Sequence, residues 1–315
     1  MKTILIFEEA PEAVRQRLER KYPEFHFVYG DDPSWPDVLE NARAIFGFIP
    51  DEYRNRLKSL PQLELVQLPF AGYEGWPELV NCPLANASGV FGLAISEYLI
   101  GAILSFYRQF PLFRKRQKEK IWDPEVGDAE SIYGKTILVL GCGDLGSTFA
   151  KKVQELGAYT IGAATRIRRI PGFDRVITLD DLDGVLPECD IVVSTLPSNE
   201  KTRYLLNLQT FEKMKPTALF INVGRGDLVS LKTLEEVMGR KLIAGMILDV
   251  FETEPLPQDS TLWENDAVMI TPHISGDFSV PETRHRMWLL FESNLDALRD
   301  GKPFVNVVAN ASAGK

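Results

Sequence analysis

Apolar residues along the chain gather into short blocks, and these alternate with longer segments whose apolar positions recur at helical spacing. Ile4–Phe7, Phe25–Tyr29, Ala44–Phe48 and Leu63–Leu68 have the length and composition of buried strands. Between them lie the helix-like segments Pro11–Lys21, Trp35–Ala42 and Asp51–Leu60, the first with proline at its start, where no N–H is needed. Strand and helix in alternation predict a parallel sheet with crossover helices. Ala94–Phe110 follows as a long, mostly apolar helix with one buried face, a spacer before the pattern resumes. Thr136–Leu140, Tyr159–Ala163, Ile191–Ser194, Ala218–Asn222, Ile243–Leu248 and Val268–Ile270 are then expected as the strands of a second sheet. Pro281–Asp300 reads as one long helix, and Phe304–Val308 as a strand that could return to the first sheet. The pattern predicts an α/β fold of two doubly wound parallel-sheet domains. No fixed-period repeat or low-complexity segment interrupts it.

The link from Thr136–Leu140 to the next helix is Gly141-Cys142-Gly143-Asp144-Leu145-Gly146. Leu145–Leu156 carries apolar residues at helical spacing, so the glycines sit between a strand and a helix. At such a turn free backbone N–H groups and the positive helix end face one point, and a pyrophosphate fits there. Gly141 permits the sharp turn, Gly143 lets a phosphate approach the backbone, and Gly146 lets helix and strand pack closely. Glycine-rich turns are more often only turns. The flanking strand and helix favour a dinucleotide here.

A length of 315 residues allows about two domains. The 45% hydrophobic and 25% charged content is that of an ordinary globular protein. A net charge of −9 argues against a nucleic-acid or membrane-surface partner, either of which calls for a basic face. An acidic chain that binds anions must gather its positive groups locally. The basic run Arg114–Lys120 is expected as a solvated face or exposed loop. Cys82, Cys142 and Cys189 show neither metal nor disulfide spacing, so no metal site is expected, and free thiols fit a cytoplasmic location. Lys2–Phe7 is cut short by Glu8-Glu9 and reads as a first strand instead of a secretory signal. No segment approaches the ~18 apolar residues of a membrane span.

Units that bind NAD carry a carboxylate about 20 residues past the glycines, where it holds the ribose 2′-hydroxyl. Here the second strand runs instead into Ala164-Thr165-Arg166, with Arg168 and Arg169 just beyond. A 2′-phosphate is repelled by a carboxylate and held by arginine. NADP(H) is therefore expected as the preferred cofactor, with NAD(H) possible if the basic cluster is only a solvated loop.

Three further segments follow the last three strands of the second sheet. They are Asn222-Val223-Gly224-Arg225-Gly-Asp, Leu248-Asp249-Val-Phe-Glu252-Thr-Glu254-Pro255-Leu-Pro257, and Thr271-Pro-His273-Ile-Ser275-Gly276. Ligands of open α/β sheets collect outside the carboxyl ends of the strands, so all three can converge on one crevice with the nucleotide.

At these residues the chain resembles the D-isomer-specific 2-hydroxyacid dehydrogenase family, which includes glyoxylate/hydroxypyruvate reductases and phosphoglycerate dehydrogenases. The resemblance covers nearly the whole chain, from Phe70-Ala71-Gly72 and Asn86–Glu97 through the glycine turn and Thr195-Leu196-Pro197 with Thr202 to the three tip segments. It implies a Rossmann-type nucleotide-binding domain, residues 96–281, inserted into a flavodoxin-like substrate domain of residues 1–95 and 282–315. Substrate would lie in the cleft between them. The implied reaction is hydride transfer between NAD(P)H and a small 2-oxoacid of the glyoxylate or hydroxypyruvate type, giving the D-(R)-2-hydroxyacid. The implied catalytic set is Arg225, Glu254 and His273. Cofactor contacts are expected from Gly141, Gly143, Asp144, Leu145 and Gly146, from Thr165, Arg166 and Arg168, and from Leu196, Pro197 and Thr202. Val223, Gly224, Arg225, Asp249, His273 and Ser275 complete that set, with Asp249 near the nicotinamide. Substrate contacts are expected from the N–H groups of Ala71 and Gly72, from Arg225 and from His273. A homodimer is implied by analogy.

The chemistry supports each role. Reduction of a 2-oxoacid needs a hydride on carbon, a proton on oxygen and a clamp for the carboxylate. Arg225 offers a fixed fork of donors that can hold the carboxylate and polarise the carbonyl. His273 can carry the proton, since an imidazole titrates near ~6.5. Glu254, bonded to the other ring nitrogen, would fix the tautomer and favour the imidazolium. Glu252 is a nearby rival for that place, and structural roles suit the remaining histidines, His26 and His285. Leu93, Phe70, Tyr73 and Trp76 are candidates for a side-chain pocket, with core packing the alternative for each. Two other functions stay open: oxidation of a small anion, as in formate or phosphite dehydrogenases of this fold, and a non-catalytic dinucleotide-sensing scaffold. The formate enzymes of the family place glutamine where Glu254 stands, which favours hydroxyacid chemistry.

Overall fold

The computed structural model describes residues 1–125 and 129–309. Residues 126–128, within the expected 96–281 domain, and 310–315, at the end of the expected 282–315 return, lie outside the described residues. The chain divides into two compact units, Met1–Val90 with Phe278–Lys315, and Phe91–Asp277.

The first unit is built on β1 (Lys2–Ile6), β2 (Phe25–Tyr29), β3 (Ala42–Phe46), β4 (Leu65–Gln67) and β5 (Leu84–Ala85). They are parallel neighbours in the order β5-β4-β3-β1-β2. Helix α1 (Glu12–Lys21) forms the first crossover. The two other expected helices are shorter than their patterns suggested. Only α2 (Trp35–Val38) and α3 (Asp51–Arg54) are α-helical, each followed by a 3-10 turn, at Leu39–Asn41 and Leu57–Ser59. Leu39 and Leu57 are both buried in the core, and Ala42 is already paired with Thr3 of β1, which leaves α2 no room to continue. β3 begins and ends two residues earlier than the apolar block Ala44–Phe48. Gly47, at φ 95°, ends it: a side chain there would sit 2.7 Å from the Glu8 nitrogen. β5 was not foreseen, since two residues make no pattern.

The second unit opens with α4 (Gly92–Tyr107), broken from α5 (Phe110–Lys118) by Gln109 at φ 56°. The basic run from Arg114 therefore lies mainly on a helix and is largely exposed, the solvated face of the two alternatives expected. Its sheet contains β6 (Thr136–Leu140), β7 (Tyr159–Ala164), β8 (Arg175–Thr178), β9 (Ile191–Ser194), β10 (Leu219–Asn222), β11 (Gly245–Leu248) and β12 (Val268–Ile270). All pairings are parallel, in the order β12-β11-β10-β9-β6-β7-β8. β8 is an addition to the six expected strands. It is an edge strand whose only buried residue is Ile177, so it carries little hydrophobic signal. Helices α6 (Asp144–Glu155), α7 (Leu182–Val185), α8 (Leu208–Glu212) and α9 (Leu231–Gly239) connect the strands. The order reverses between β6 and β9, the switch point where nucleotides bind in such sheets. Leu138, Ile161, Val192, Phe220 and Leu248 form the centre of its core.

The chain then returns to the first unit through α10 (Pro281–Asp300) and β13 (Val307–Ala309). Phe291 stacks on Phe46 at 4.0 Å and Trp288 meets the same ring edge-on at 5.1 Å. Glu292, 4% exposed, is ion-paired with Arg17 at 2.8 Å and Lys21 at 2.9 Å, so the buried charge is matched on both oxygens. β13 pairs with β5 antiparallel, in a sheet whose other described pairings are parallel. The return of the tail to the first sheet is thus as expected, though the strand is shorter than Phe304–Val308 suggested. Both units are α/β folds on mainly parallel sheets. Among the described residues no helix is long and apolar enough to cross a membrane.

Candidate active site

β6 delivers the chain into the glycine turn. Gly141 has φ 102°, and a Cβ on it would lie 2.8 Å from Thr195 Oγ1, whose hydroxyl donates to the Gly141 carbonyl at 3.0 Å. A Cβ on Gly146 would lie 2.0 Å from that same carbonyl oxygen, so helix and strand touch there. Gly143 differs: a Cβ on it would meet nothing within 4 Å. It is also the N-cap of the 12-residue α6, and no side chain caps that helix end. Open space and uncapped N–H groups coincide, which is what a pyrophosphate requires. The Asp144 carboxylate lies against Gly92, at the start of α4: a Cβ on that glycine would be 2.9 Å from Asp144 Oδ2.

Neighbouring tips close around this turn. A Cβ on Gly224 would lie 2.6 Å from the Leu196 carbonyl, so the segments after β9 and β10 are in backbone contact. Thr202 donates to the Pro197 carbonyl at 2.7 Å and accepts from the Asn199 N–H at 2.9 Å, which shapes the loop after β9. Leu196 and Val223 are buried, and Leu145 is half-buried. Thr165, Arg166, Arg168 and Arg169 are exposed beyond β7, and the three arginines have no ion-pair partner among the described residues. Burial pushes the Cys142 thiol up to about 11.

The last three strands end at one level, since Asn222 pairs with Leu248 and Leu248 with Ile270. Asn222 folds the turn beyond β10: its Oδ1 accepts from the Gly224 N–H at 3.1 Å and its Nδ2 donates to the Arg225 carbonyl at 2.9 Å. Arg225 is half-buried, with Nη1 donating to the Gly224 carbonyl at 2.9 Å. A Cβ on Gly226 would be 1.9 Å from the Phe251 carbonyl carbon, so this turn abuts the segment after β11. In that segment the Phe251 N–H donates to Glu254 Oε1 at 3.0 Å, while Glu254 Oε2 lies 2.8 Å from His273 Nδ1. One carboxylate thus ties the second segment to the third.

His273 sits at φ 56°, a strained position for a residue with a Cβ. Asp249, only 1% exposed, holds it there. Its Oδ1 accepts from the Thr271 hydroxyl at 2.5 Å and the Ile274 N–H at 2.9 Å, its Oδ2 accepts from the Ser275 N–H at 2.9 Å, and its carbonyl accepts from the His273 N–H at 2.9 Å. The Tyr98 hydroxyl lies 2.7 Å from that of Thr271, and burial pushes Tyr98 up to about 12. Thr271 gives its proton to the carboxylate, so neutral Tyr98 is the donor to Thr271. Tyr98, Thr271 and Asn222 carried no role in the sequence reading. The first lies on the spacer helix with no local signal, and the others are visible only as members of motifs.

Glu252 has different partners. Its Oε1 accepts from the Tyr204 hydroxyl at 2.6 Å and its Oε2 from the Leu231 N–H at 3.0 Å. The Tyr204 bond, then the Leu231 amide, hold its carboxyl below the usual carboxylate range. Glu254 and not Glu252 is paired with His273. His26, on β2, and His285, on α10, are both exposed. Ala71 and Gly72 belong to the first unit. Asn86 Nδ2 donates to the Ala71 carbonyl at 2.6 Å and the Ala87 N–H to the Phe70 carbonyl at 3.0 Å. The N–H groups of Ala71 and Gly72 have no partner among the described residues.

A phosphate-ready turn at the switch point, with an acid–base pair and an arginine on adjacent strand tips, defines a dinucleotide-dependent oxidoreductase. Residues 100–275 match the pattern of the D-isomer specific 2-hydroxyacid dehydrogenase, NAD binding domain. A glyoxylate reductase of Thermofilum pendens is 30% identical over 287 residues, which cover 86% of this chain and 83% of that one. The crystal structure of a D-isomer specific 2-hydroxyacid dehydrogenase family protein from Aeromonas salmonicida superposes with TM-score 0.84 at 30% identity, covering 98% of each chain. An NADPH-dependent glyoxylate/hydroxypyruvate reductase from Sinorhizobium meliloti, in complex with NADP and sulfate, gives TM-score 0.82 at 25% identity, again over 98% of each chain. The chain belongs to the D-isomer specific 2-hydroxyacid dehydrogenase family, and is an NAD(P)-dependent enzyme of that family.

Proposed function

We propose that this enzyme reduces small 2-oxoacids of the glyoxylate and hydroxypyruvate type to (R)-2-hydroxyacids, with NADPH preferred over NADH. The observation that carries this reading is the Glu254–His273 contact of 2.8 Å, made beside the turn that presents Arg225. With Nδ1 engaged by the carboxylate, Nε2 is the ring nitrogen left to pass a proton to the substrate's carbonyl oxygen. The negative Glu254 then stabilises the imidazolium from which the proton leaves. Arg225 holds the substrate carboxylate and draws electron density from the carbonyl. Asp249 acts through the 271–275 loop, keeping His273 at its strained backbone angle. A bound dinucleotide would supply the hydride. The turn at Gly143 and the uncapped start of α6 suit its pyrophosphate, and Arg166 and Arg168 suit a 2′-phosphate. The NADP in the Sinorhizobium meliloti relative favours the same cofactor.

In this reading the enzyme works as a homodimer in a reducing cytoplasm, where its three free thiols persist. Phe110, Phe113, Ile121 and Trp122, on α5 and just after it, are 40–99% exposed and suit a second copy of the chain. The test of the function is NADPH consumption with glyoxylate or hydroxypyruvate and the chirality of the product. Tight NADPH binding with no turnover would leave a dinucleotide sensor instead.

A further inference from the structure

The loop after β9, residues 195–206, is fastened at both ends. At its start the Thr195 hydroxyl donates to the Gly141 carbonyl at 3.0 Å, which ties the loop to the glycine turn. Its apex is folded by its own bonds. Thr202 Oγ1 accepts from the Asn199 N–H and donates to the Pro197 carbonyl, and Asn199 Oδ1 accepts from the Lys201 N–H at 2.9 Å. The loop then passes the segment after β10, where Ser198 Oγ donates to Asp227 Oδ2 at 2.6 Å and the Tyr204 N–H to the Asp227 carbonyl at 2.7 Å. It reaches the segment after β11 through the Tyr204 hydroxyl, which donates to Glu252 Oε1 at 2.6 Å.

Tyr204 stands at φ 51°, a left-handed angle that strains a residue with a Cβ. It is 45% exposed, so burial does little to hold it there. Polar contacts do so instead. The short bond to the ionised Glu252 is charge-assisted, and the Arg203 guanidinium lies 5.5 Å from the ring centroid. Glu252 is fixed in turn by the N–H of Leu231, the first residue of α9, at 3.0 Å. We infer that Tyr204 is a positioning residue for the dinucleotide, latching the loop after β9 to Glu252 so that the preformed apex is held at the nucleotide crevice. The inference rests on the proposed dinucleotide binding, to which the family resemblance assigns Leu196, Pro197 and Thr202 of this loop. An apex folded by its own bonds moves as a body between its anchors. With the latch released, the loop spends part of its time displaced, and the affinity for the dinucleotide falls by that fraction.

The test measures the Kd for NADPH by direct titration, and KM and kcat with glyoxylate, for the wild type, Tyr204→Phe, Glu252→Ala, Glu252→Gln and the double variant Tyr204→Phe/Glu252→Ala. Tyr204→Phe keeps the ring and loses only the hydroxyl. It and Glu252→Ala are expected to raise Kd and KM for NADPH by about fivefold or more, with kcat at saturating NADPH within about threefold of the wild type. The double variant should bind no more weakly than either single one, since both break the same contact. Glu252→Gln keeps an oxygen that accepts from the hydroxyl and should stay within about threefold of the wild type. Unchanged NADPH affinity in Tyr204→Phe would overturn the inference, as would losses that add in the double variant. A wild type that binds no NADPH would instead remove the proposed function on which the inference stands.

Discussion

Glu252 and Glu254 stand two positions apart and do different things. One braces the fold through Tyr204 and Leu231, and the other bridges Phe251 and His273. Glu254→Gln is therefore expected to lower kcat by about tenfold or more, while Glu252→Gln should leave it within about threefold, as steady-state kinetics of the two variants will show. His273→Ala removes the proton donor and should cut kcat by ~10²–10⁴ with little change in NADPH affinity. Wild-type kcat in that variant would refute the assignment. At this scale the sequence reveals which residue types can do the chemistry and offers both glutamates as candidates. The family resemblance already favours Glu254, but the residues alone do not give the path of the backbone through Phe251, beside Gly226, that brings Glu254 to His273. The grip of Asp249 on the 271–275 loop was equally hidden. A carboxylate bonded on both oxygens by a loop 22–26 residues away leaves no local mark in a sequence.

The glycine turn shows how far an element can be read from its residues. β6 and α10 fall on the residues their apolar patterns define, and α6 within one residue at each end, because each has a buried face to pattern. β5 and β8 escaped because a two-residue strand and an edge strand with one buried side chain have too little of it. Within the turn Gly146 and Gly143 should respond differently to the same methyl group. Gly146→Ala places it against a backbone oxygen and should destabilise the second unit by about 3 kcal/mol or more, read by thermal or denaturant unfolding. Gly143→Ala meets open space and should fold normally, yet raise the Kd for NADPH by about tenfold by occupying the phosphate's position. Equal dinucleotide affinity in Gly143→Ala and the wild type would show that the cradle is elsewhere. At the tip of β7, Arg168→Ala should raise the KM for NADPH by about tenfold and leave that for NADH nearly unchanged. An equal effect on both would return the basic cluster to the solvent.

As a whole molecule the chain carries a net charge of −9, so in the proposed function its positive groups act locally, with Arg225 on the substrate and the Arg166–Arg169 cluster on the cofactor. The alternation of strands and helices made the two α/β units legible, and the antiparallel pairing of β13 with β5 returns the chain to its first sheet. The apolar side chains on and after α5 were not read as a surface, because a sequence does not separate a buried aromatic from an exposed one. Trp122, 99% exposed, is expected at the interface of a dimer. Sedimentation should therefore show a dimer for the wild type and a shift towards monomer for Trp122→Asp; a monomeric wild type would sink that proposal. The central claim is that Arg225, Glu254 and His273 form one reductase site around a bound nicotinamide. It is tested most directly by following loss of NADPH absorbance with glyoxylate and hydroxypyruvate in the wild type and in His273→Ala, with NADPH affinity measured in parallel. The account predicts turnover to the (R)-hydroxyacid by the wild type and its near loss in the variant at unchanged NADPH affinity, whereas an NADPH-bound wild type that consumes none of it with either oxoacid would contradict it.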